Sequence, residues 1–265
     1  MTTPIAVTIA GSDSSGGAGI QADLKTFSAL GVYGACVITA LTAQNTTGVF
    51  GIHAVPADFI GAQMDAVFSD LDVGAVKIGM LANAQSIDAV AAALDRHRAR
   101  NVVLDPVMVA SSGERLLPVD ATDRLRHLIR RVRVLTPNLP EAAALLDAPL
   151  ADDEATMRAQ AEKLLAAGAG AVLIKGGHRG GAESVDLLVD AAGCLRLAAP
   201  RIETRNTHGT GCTLASAIAA GLAKGLALGE AAKAAKAYVS AAIAAADRLK
   251  VGHGRGPVHH FHDWW

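Results

Sequence analysis

Aromatic residues make up only 3% of the 265 positions, too few for the stacking platforms on which single-stranded nucleic acids are held. Charge is scarce and balanced. The net charge is −1 and no basic stripe stands out, which excludes nucleic acid as the main partner. The three cysteines, Cys36, Cys194 and Cys212, are odd in number and widely spaced, as expected of free thiols in a reducing compartment rather than a disulfide framework. No apolar run reaches the ~20 residues of a membrane span. The most apolar stretch, residues 214–246, is interrupted by Lys224, Glu230, Lys233 and Lys236. The chain opens without the basic region of a secretory signal, so the expected location is the cytoplasm.

With 51% hydrophobic and 18% charged residues, the composition is that of a globular protein with a sizeable core. Short β-branched runs alternate with alanine- and leucine-rich stretches. Strands are expected at residues 5–10, 36–42, 75–78, 101–104, 132–135 and 171–174, with a hairpin pairing 184–190 and 194–198. Helices are expected at 19–30, 57–68, 84–97, 121–129, 141–146, 154–167, 213–224 and 228–250. The runs around Val76, Val102 and Val172 are continuously apolar, as in strands buried on both faces. Alternation of this kind implies right-handed crossovers and a mostly parallel sheet covered by helices on both sides. Nothing reads as a linker or a repeat, so one α/β domain over residues 1–265 is expected. Ligands in such sheets bind beyond the carboxyl ends of the strands, where the motifs matter most.

Several motifs sit at such strand ends. Gly11–Thr26, GSDSSGGAGIQADLKT, lacks the Gly-Lys-Ser/Thr of a Walker A loop. It also lacks the acidic strand end of a dinucleotide fold. Asp13, Ser14 and Ser15 read there as turn and cap residues, and Asp23 as a helix charge open to solvent or to a pocket. In LTAQNTTGV, residues 41–49, Gln44 offers a donor and an acceptor to one edge of a heterocycle, or simply completes a polar turn. Asp105 ends an apolar strand in VVLDPVM. Asn138 and Glu141 in TPNLPEA are three apart at a helix start, which also fits a capping box. With Asp105 they form an all-oxygen set suited to Mg²⁺ held through waters. Lys175 in VLIKGGH is placed to meet a phosphate. In NTHGTGCTLASAIAA, residues 206–220, Gly209, Thr210, Gly211 and Cys212 mark a loop becoming a helix. The free amides and dipole there attract anions, and the same position lowers a thiol pKa, so Cys212 is expected to be partly ionised. His259, His260 and His262 in the tail read as a polar segment rather than a metal cluster. Trp264 and Trp265 are expected to pack on the body or on another subunit.

In this order, GSDSSGGAGIQADLKTF, TALTAQNT, DPVM, TPNLPEA, KGGH and NTHGTGCTLASAIAA resemble the hydroxymethylpyrimidine/phosphomethylpyrimidine kinases of thiamine biosynthesis, members of the ribokinase superfamily. The resemblance runs from Ile5 to the GxGxGP segment at 252–257. It implies a ribokinase-like three-layer α/β/α fold, with ATP and Mg²⁺ as cofactors, a monovalent cation as an open addition, and a homodimer. It implies that 4-amino-5-hydroxymethyl-2-methylpyrimidine is phosphorylated twice. By the same resemblance Gln44, Asp23, Gly11 and Met80 bind the acceptor, and Asp105 and Glu141 organise the metal. Lys175, with Asn138 nearby, contacts ATP, and the amides of Gly209, Thr210, Gly211 and Cys212 form an anion hole. Cys212 stands where most sugar kinases of the superfamily carry a catalytic Asp. Two rival readings are a pyridoxal/pyridoxine kinase and a non-catalytic pyrimidine- or nucleotide-binding module.

Overall fold

The apolar runs do form strands, and all of them join one sheet. A computed structural model describes residues 2–109, 113–114, 116–177 and 181–265. Its strands are β1 (Ile5–Gly11), β2 (Tyr33–Asn45), β3 (Gly48–Ala54), β4 (Ala75–Ile78), β5 (Val102–Leu104), β6 (Val134–Leu135), β7 (Val172–Lys175), β8 (Glu183–Asp190) and β9 (Gly193–Pro200). They lie in the order β3-β2-β1-β4-β5-β6-β7-β8-β9. From β2 across to β7 all pairs are parallel, while β3, β8 and β9 pair antiparallel at the two margins.

Period-2 alternation explains why both faces are covered. Val7, Ile9, Val76, Ile78 and Leu104 share one buried cluster with Ile60, Met64, Ile87, Leu125, Leu139 and Met157. Those partners come from helices α2 (Ala57–Phe68), α3 (Ala84–Arg96), α4 (Thr122–Leu128), α5 (Leu139–Leu146) and α6 (Glu154–Ala166). Ala6, Ala75, Val103, Val134 and Leu173, pointing the other way, meet Phe27, Leu214, Ile218 and Val239. These belong to α1 (Gly19–Ala29), α7 (Thr210–Ala223) and α8 (Leu228–Ala244). The result is the expected three-layer α/β/α architecture with a mostly parallel sheet.

Three expectations change. Residues 41–49 are not a plain turn: β2 runs on to Asn45 and folds back as β3 through Thr46 and Thr47. The Asn45 carboxamide oxygen accepts the Thr47 amide at 2.8 Å and closes the turn. Helix α7 begins at Thr210, three residues earlier than expected, and α8 ends at Ala244 rather than at Lys250. Beyond a short 3₁₀ turn at Ala246–Arg248, the chain returns across the strand ends. No helix among the described residues is long and apolar enough to cross a membrane.

Candidate active site

A single continuous cavity of about 1480 Å³ lies over the carboxyl ends of the parallel strands. Gly11, Gln44, Met80, Asp105, Asn138, Glu141, Lys175 and the segment Gly209–Cys212 all line it. The sheet brings together residues more than 200 positions apart because each follows a strand, or begins the helix above one.

The charged end is built from three elements. Lys175 ends β7 and donates to Asp105 Oδ1 at 2.6 Å. Its Nζ is 3.9 Å from Glu141 Oε2. Asn138 and Glu141 form the capping box: Glu141 N–H donates to Asn138 Oδ1 at 2.9 Å, and Asn138 N–H to Glu141 Oε2 at 2.8 Å. The Asn138 carboxamide oxygen is thus engaged in starting α5, so its contact with ATP remains an expectation. Burial pushes the Glu141 carboxyl up to about 7, with Asp105 adding to the rise, while Lys175 and the Asn138 amide oppose it. Burial disfavours the Lys175 ammonium, but Asp105 and Glu141 outweigh that and keep it charged. Two carboxylates beside one lysine fit a Mg²⁺ that keeps its waters and shares substrate phosphates. No cage of three or more metal-binding side chains exists among the described residues.

The N-terminus of α7 faces this cluster. A methyl placed on Gly211 would lie 3.3 Å from Lys175 Nζ and 3.6 Å from Asp105 Oδ2, so the first turn of α7 sits against the charged pair. Of the amides expected in the anion hole, Thr210 N–H already donates to the Thr207 carbonyl at 3.3 Å. Gly209, the N-cap, has φ 79°. A side chain there would overlap the Gly17 carbonyl oxygen, so only glycine allows the first loop to press against the helix start.

At the other end, the Gln44 carboxamide oxygen receives the Thr42 hydroxyl at 3.2 Å. Its backbone is pinned on both sides by Ser14: N–H to Oγ at 3.0 Å and Oγ–H to the carbonyl at 2.8 Å. Gly11 and Met80 line the same end of the cavity.

Two expectations fail here. Asp23 is neither a pocket residue nor a solvated charge. It is fully buried, outside the cavity lining, and bonded to Thr8, Ser216 and Lys77. Cys212 is not an ionised thiolate. Burial pushes its thiol up to about 11, with Asp23 and Asp105 adding to the rise, although Lys77 and a backbone hydrogen bond from Gly19 pull the other way. Although Cys212 is half-buried and borders the cavity, desolvation is the largest influence on its thiol and outweighs the helix dipole.

Several participants escaped the sequence reading. Lys77, in the middle of the buried run AVKI, lines the cavity; a cation in so apolar a strand was its signal. Asp13 does cap its turn, accepting Ser15, Gly17 and Ala18 amides at 2.9, 3.1 and 2.8 Å. It also bonds His208 Nε2 at 2.7 Å, tying the first loop to the loop before α7. The GxGxGP segment forms a strap. Arg255 N–H donates to Thr46 O at 2.9 Å, Gly256 N–H to Asn206 Oδ1 at 3.0 Å, and His208 N–H to Gly256 O at 3.0 Å. In the tail, His260 Nε2 lies 3.0 Å from the Thr213 hydroxyl, and Trp265 stacks on Phe261 and meets His259 at a tilt of 54°. Trp264 is exposed. His178 of KGGH lies outside the described residues.

Comparison with known proteins agrees with this geometry. The family model described as phosphomethylpyrimidine kinase matches residues 13–259. The hydroxymethylpyrimidine/phosphomethylpyrimidine kinase of Rhizobium meliloti is 62% identical over 264 residues, covering 99% of each chain. Among solved structures, Bacillus subtilis pyridoxal kinase in complex with ADP superposes with a TM-score of 0.90 at 37% identity, covering 98% of each chain. The phosphomethylpyrimidine kinase of Clostridium difficile gives 0.80 at 42% identity, covering 90% of this chain and 99% of its own. A ribokinase-like sheet whose strand ends carry this lysine, these carboxylates and this helix start therefore has its place: the chain belongs to the phosphomethylpyrimidine kinase family.

Proposed function

We propose that this chain, acting as one domain, transfers the γ-phosphoryl group of ATP to 4-amino-5-hydroxymethyl-2-methylpyrimidine, and then phosphorylates the monophosphate to the diphosphate, in thiamine biosynthesis. The observation that carries the reading is the single cavity joining Gln44 at one end to Lys175, Asp105 and Glu141 at the other, with the α7 N-terminus between them. Gln44, with Gly11 and Met80, holds the flat pyrimidine at the neutral end. Lys175 draws the ATP phosphates to the charged end. The backbone amides at the start of α7 take the equatorial oxygens of the phosphoryl group in flight, where charge accumulates. Asp105 and Glu141 would hold Mg²⁺ through waters, and the ion would neutralise phosphate charge.

Cys212, at the first turn of α7, is the base for the first transfer and takes the hydroxyl proton. The second acceptor is already an anion and asks less of it. We place the enzyme in the cytoplasm as a homodimer, supported by three free thiols and the family membership. The test is an ATP-dependent assay on the free pyrimidine that resolves mono- and diphosphate over time. Both products in sequence are expected. Pyridoxal belongs beside it as a competing acceptor because of the 37% identical pyridoxal kinase, and a clear preference for pyridoxal would overturn the assignment.

A further inference from the structure

The first loop, residues 11–19, and the start of α7 lie far apart in the chain and meet at one buried contact. Asp13 is buried, and its carboxylate accepts five hydrogen bonds. Oδ1 takes the Ser15 amide at 2.9 Å and the Ser15 hydroxyl at 2.7 Å. Oδ2 takes the amides of Gly17 and Ala18 at 3.1 and 2.8 Å. Those four come from within the loop and give it its shape. The last comes from 195 positions away: His208 Nε2 donates to Oδ2 at 2.7 Å. Burial works against the charge on Asp13, but the bonds from His208 and Ser15 outweigh it and hold the carboxyl well below the usual carboxylate range. A carboxylate can only accept, so the proton of this contact is on Nε2.

The imidazole touches both sides of the junction. A methyl on Gly17 would overlap the His208 ring, and one on Gly209 would overlap the Gly17 carbonyl oxygen. Loop, ring and the α7 N-cap are therefore packed with no space between them. The backbone of His208 also binds the strap: its N–H donates to Gly256 O at 3.0 Å, and its carbonyl receives the Val258 amide at 3.3 Å. On its far side the first loop pins Gln44 through Ser14. A continuous run of contacts thus joins Gln44, Ser14, Asp13, His208 and Gly209, from the acceptor end of the cavity to the helix start. Lys175 and Glu141 are held by other bonds, to Asp105 and Asn138.

The geometry points to His208 as a positioning residue: through Asp13 it fixes the acceptor-bearing loop against the α7 N-terminus, so that the acceptor oxygen meets the phosphoryl group in line in both transfers. The effect on the transfers rests on the kinase reading of the cavity; the tie between the two segments does not. Each substrate keeps its own contacts when the tie is cut, so the loss belongs to the rate of transfer rather than to binding. A misplacement of about 1 Å costs about 100-fold in rate.

Two carboxamides separate the hydrogen bond from everything else the ring does. His208→Gln places its amide nitrogen where Nε2 stands and can still donate to Asp13. His208→Asn is one methylene shorter and cannot reach. His208→Leu, which fills the space without a donor, replaces the Asn variant if that chain fails to fold. Single-turnover rates of both phosphorylations should fall by about 100-fold in His208→Asn and stay close to wild type in His208→Gln, with dissociation constants for ATP and for the pyrimidine changed far less in either. Equal losses in the two variants, losses confined to binding, or no loss overturns the proposal. Hydrogen exchange followed by mass spectrometry supplies a readout independent of activity. Peptides covering residues 11–19 and 207–212 should both exchange several-fold faster in His208→Asn and match the wild type in His208→Gln. Faster exchange in only one segment, or in neither, also overturns it. A wild type that makes no product from the pyrimidine overturns the kinase reading instead, and exchange alone then decides whether His208 ties the two segments.

Discussion

A thiol pushed up to about 11 is almost wholly protonated at neutral pH, and its base form grows about tenfold for each pH unit below that value. If Cys212 takes the hydroxyl proton, the single-turnover rate of the first phosphorylation should climb steadily from pH 7 to pH 10, while the second stays nearly flat. Cys212→Ala should lower the first rate more than the second and abolish the climb; equal losses in both steps would remove the base from the mechanism. Gly209→Ala tests the anion hole. A non-glycine residue at φ 79° costs about 1–2 kcal/mol, and overlap with the Gly17 carbonyl adds to it. Both phosphorylations should fall by about 100-fold or more, as when an oxyanion donor is lost, measurable in the same assay. Residue identities at the site were largely readable because each follows a strand or starts a helix. Pairings were not. Asp23 meets Lys77 54 positions away and Ser216 193 positions away, distances over which no local pattern operates, so a saturated counter-ion looked like a ligand. The thiol's ionisation was misjudged for a related reason: the helix dipole is visible in the sequence, but the depth of burial that overcomes it is not.

Boundaries came through well at β4, an apolar run buried on both faces, and at α2, whose Ile60 and Met64 mark one buried stripe; the expected limits of both coincide with those observed. The omission of β3 has an opposite physical cause. It is a margin strand whose large side chains face outward, Phe50 being 71% exposed and Ile52 44%, so it presents neither burial nor clean alternation. The turn that makes it, Asn45 to Gly48, also carries Gln44 to the cavity edge, and the glycine strap is laid over it. A side chain on Gly254 would overlap the Thr46 carbonyl oxygen. Gly254→Ala should therefore lift the strap from the hairpin and raise KM for the pyrimidine by about tenfold, an effect of about 1.4 kcal/mol, with KM for ATP changed far less. Steady-state kinetics with each substrate varied in turn will show it. A parallel rise in both constants would mean that the strap supports the whole cavity rather than its acceptor end.

For the molecule as a whole, the tail acts on stability through a buried imidazole. Burial, reinforced by the charges of Lys25, His259 and His208, pushes His260 down to about 3, so it is neutral in the folded state. The unfolded chain takes up a proton near the ordinary histidine value, about 6.5. The contribution of His260 is therefore complete above that pH and is lost as pH falls toward 3, at up to about 1.4 kcal/mol per pH unit. Urea unfolding midpoints measured from pH 7 to pH 4 should fall along this slope, and His260→Gln should flatten it. An unchanged slope would assign the acid sensitivity to other groups.

The strap has a further consequence, for the order in which the enzyme comes into being. The acceptor end of the cavity draws on Gly11–Gly19 and the β2–β3 turn, and its closure draws on Asn206, His208 and Gly256, which hydrogen-bond to one another and, through the strap, to Thr46. During synthesis the sheet has all nine strands once residue 200 has emerged, yet the ligand site waits for the final stretch of chain. A nascent protein halted after Lys250 should show nearly the full circular dichroism of the finished fold and gain no thermal protection from the pyrimidine. Folding of the sheet and competence to bind would then be separable, with the strap at residues 252–257 supplying the second.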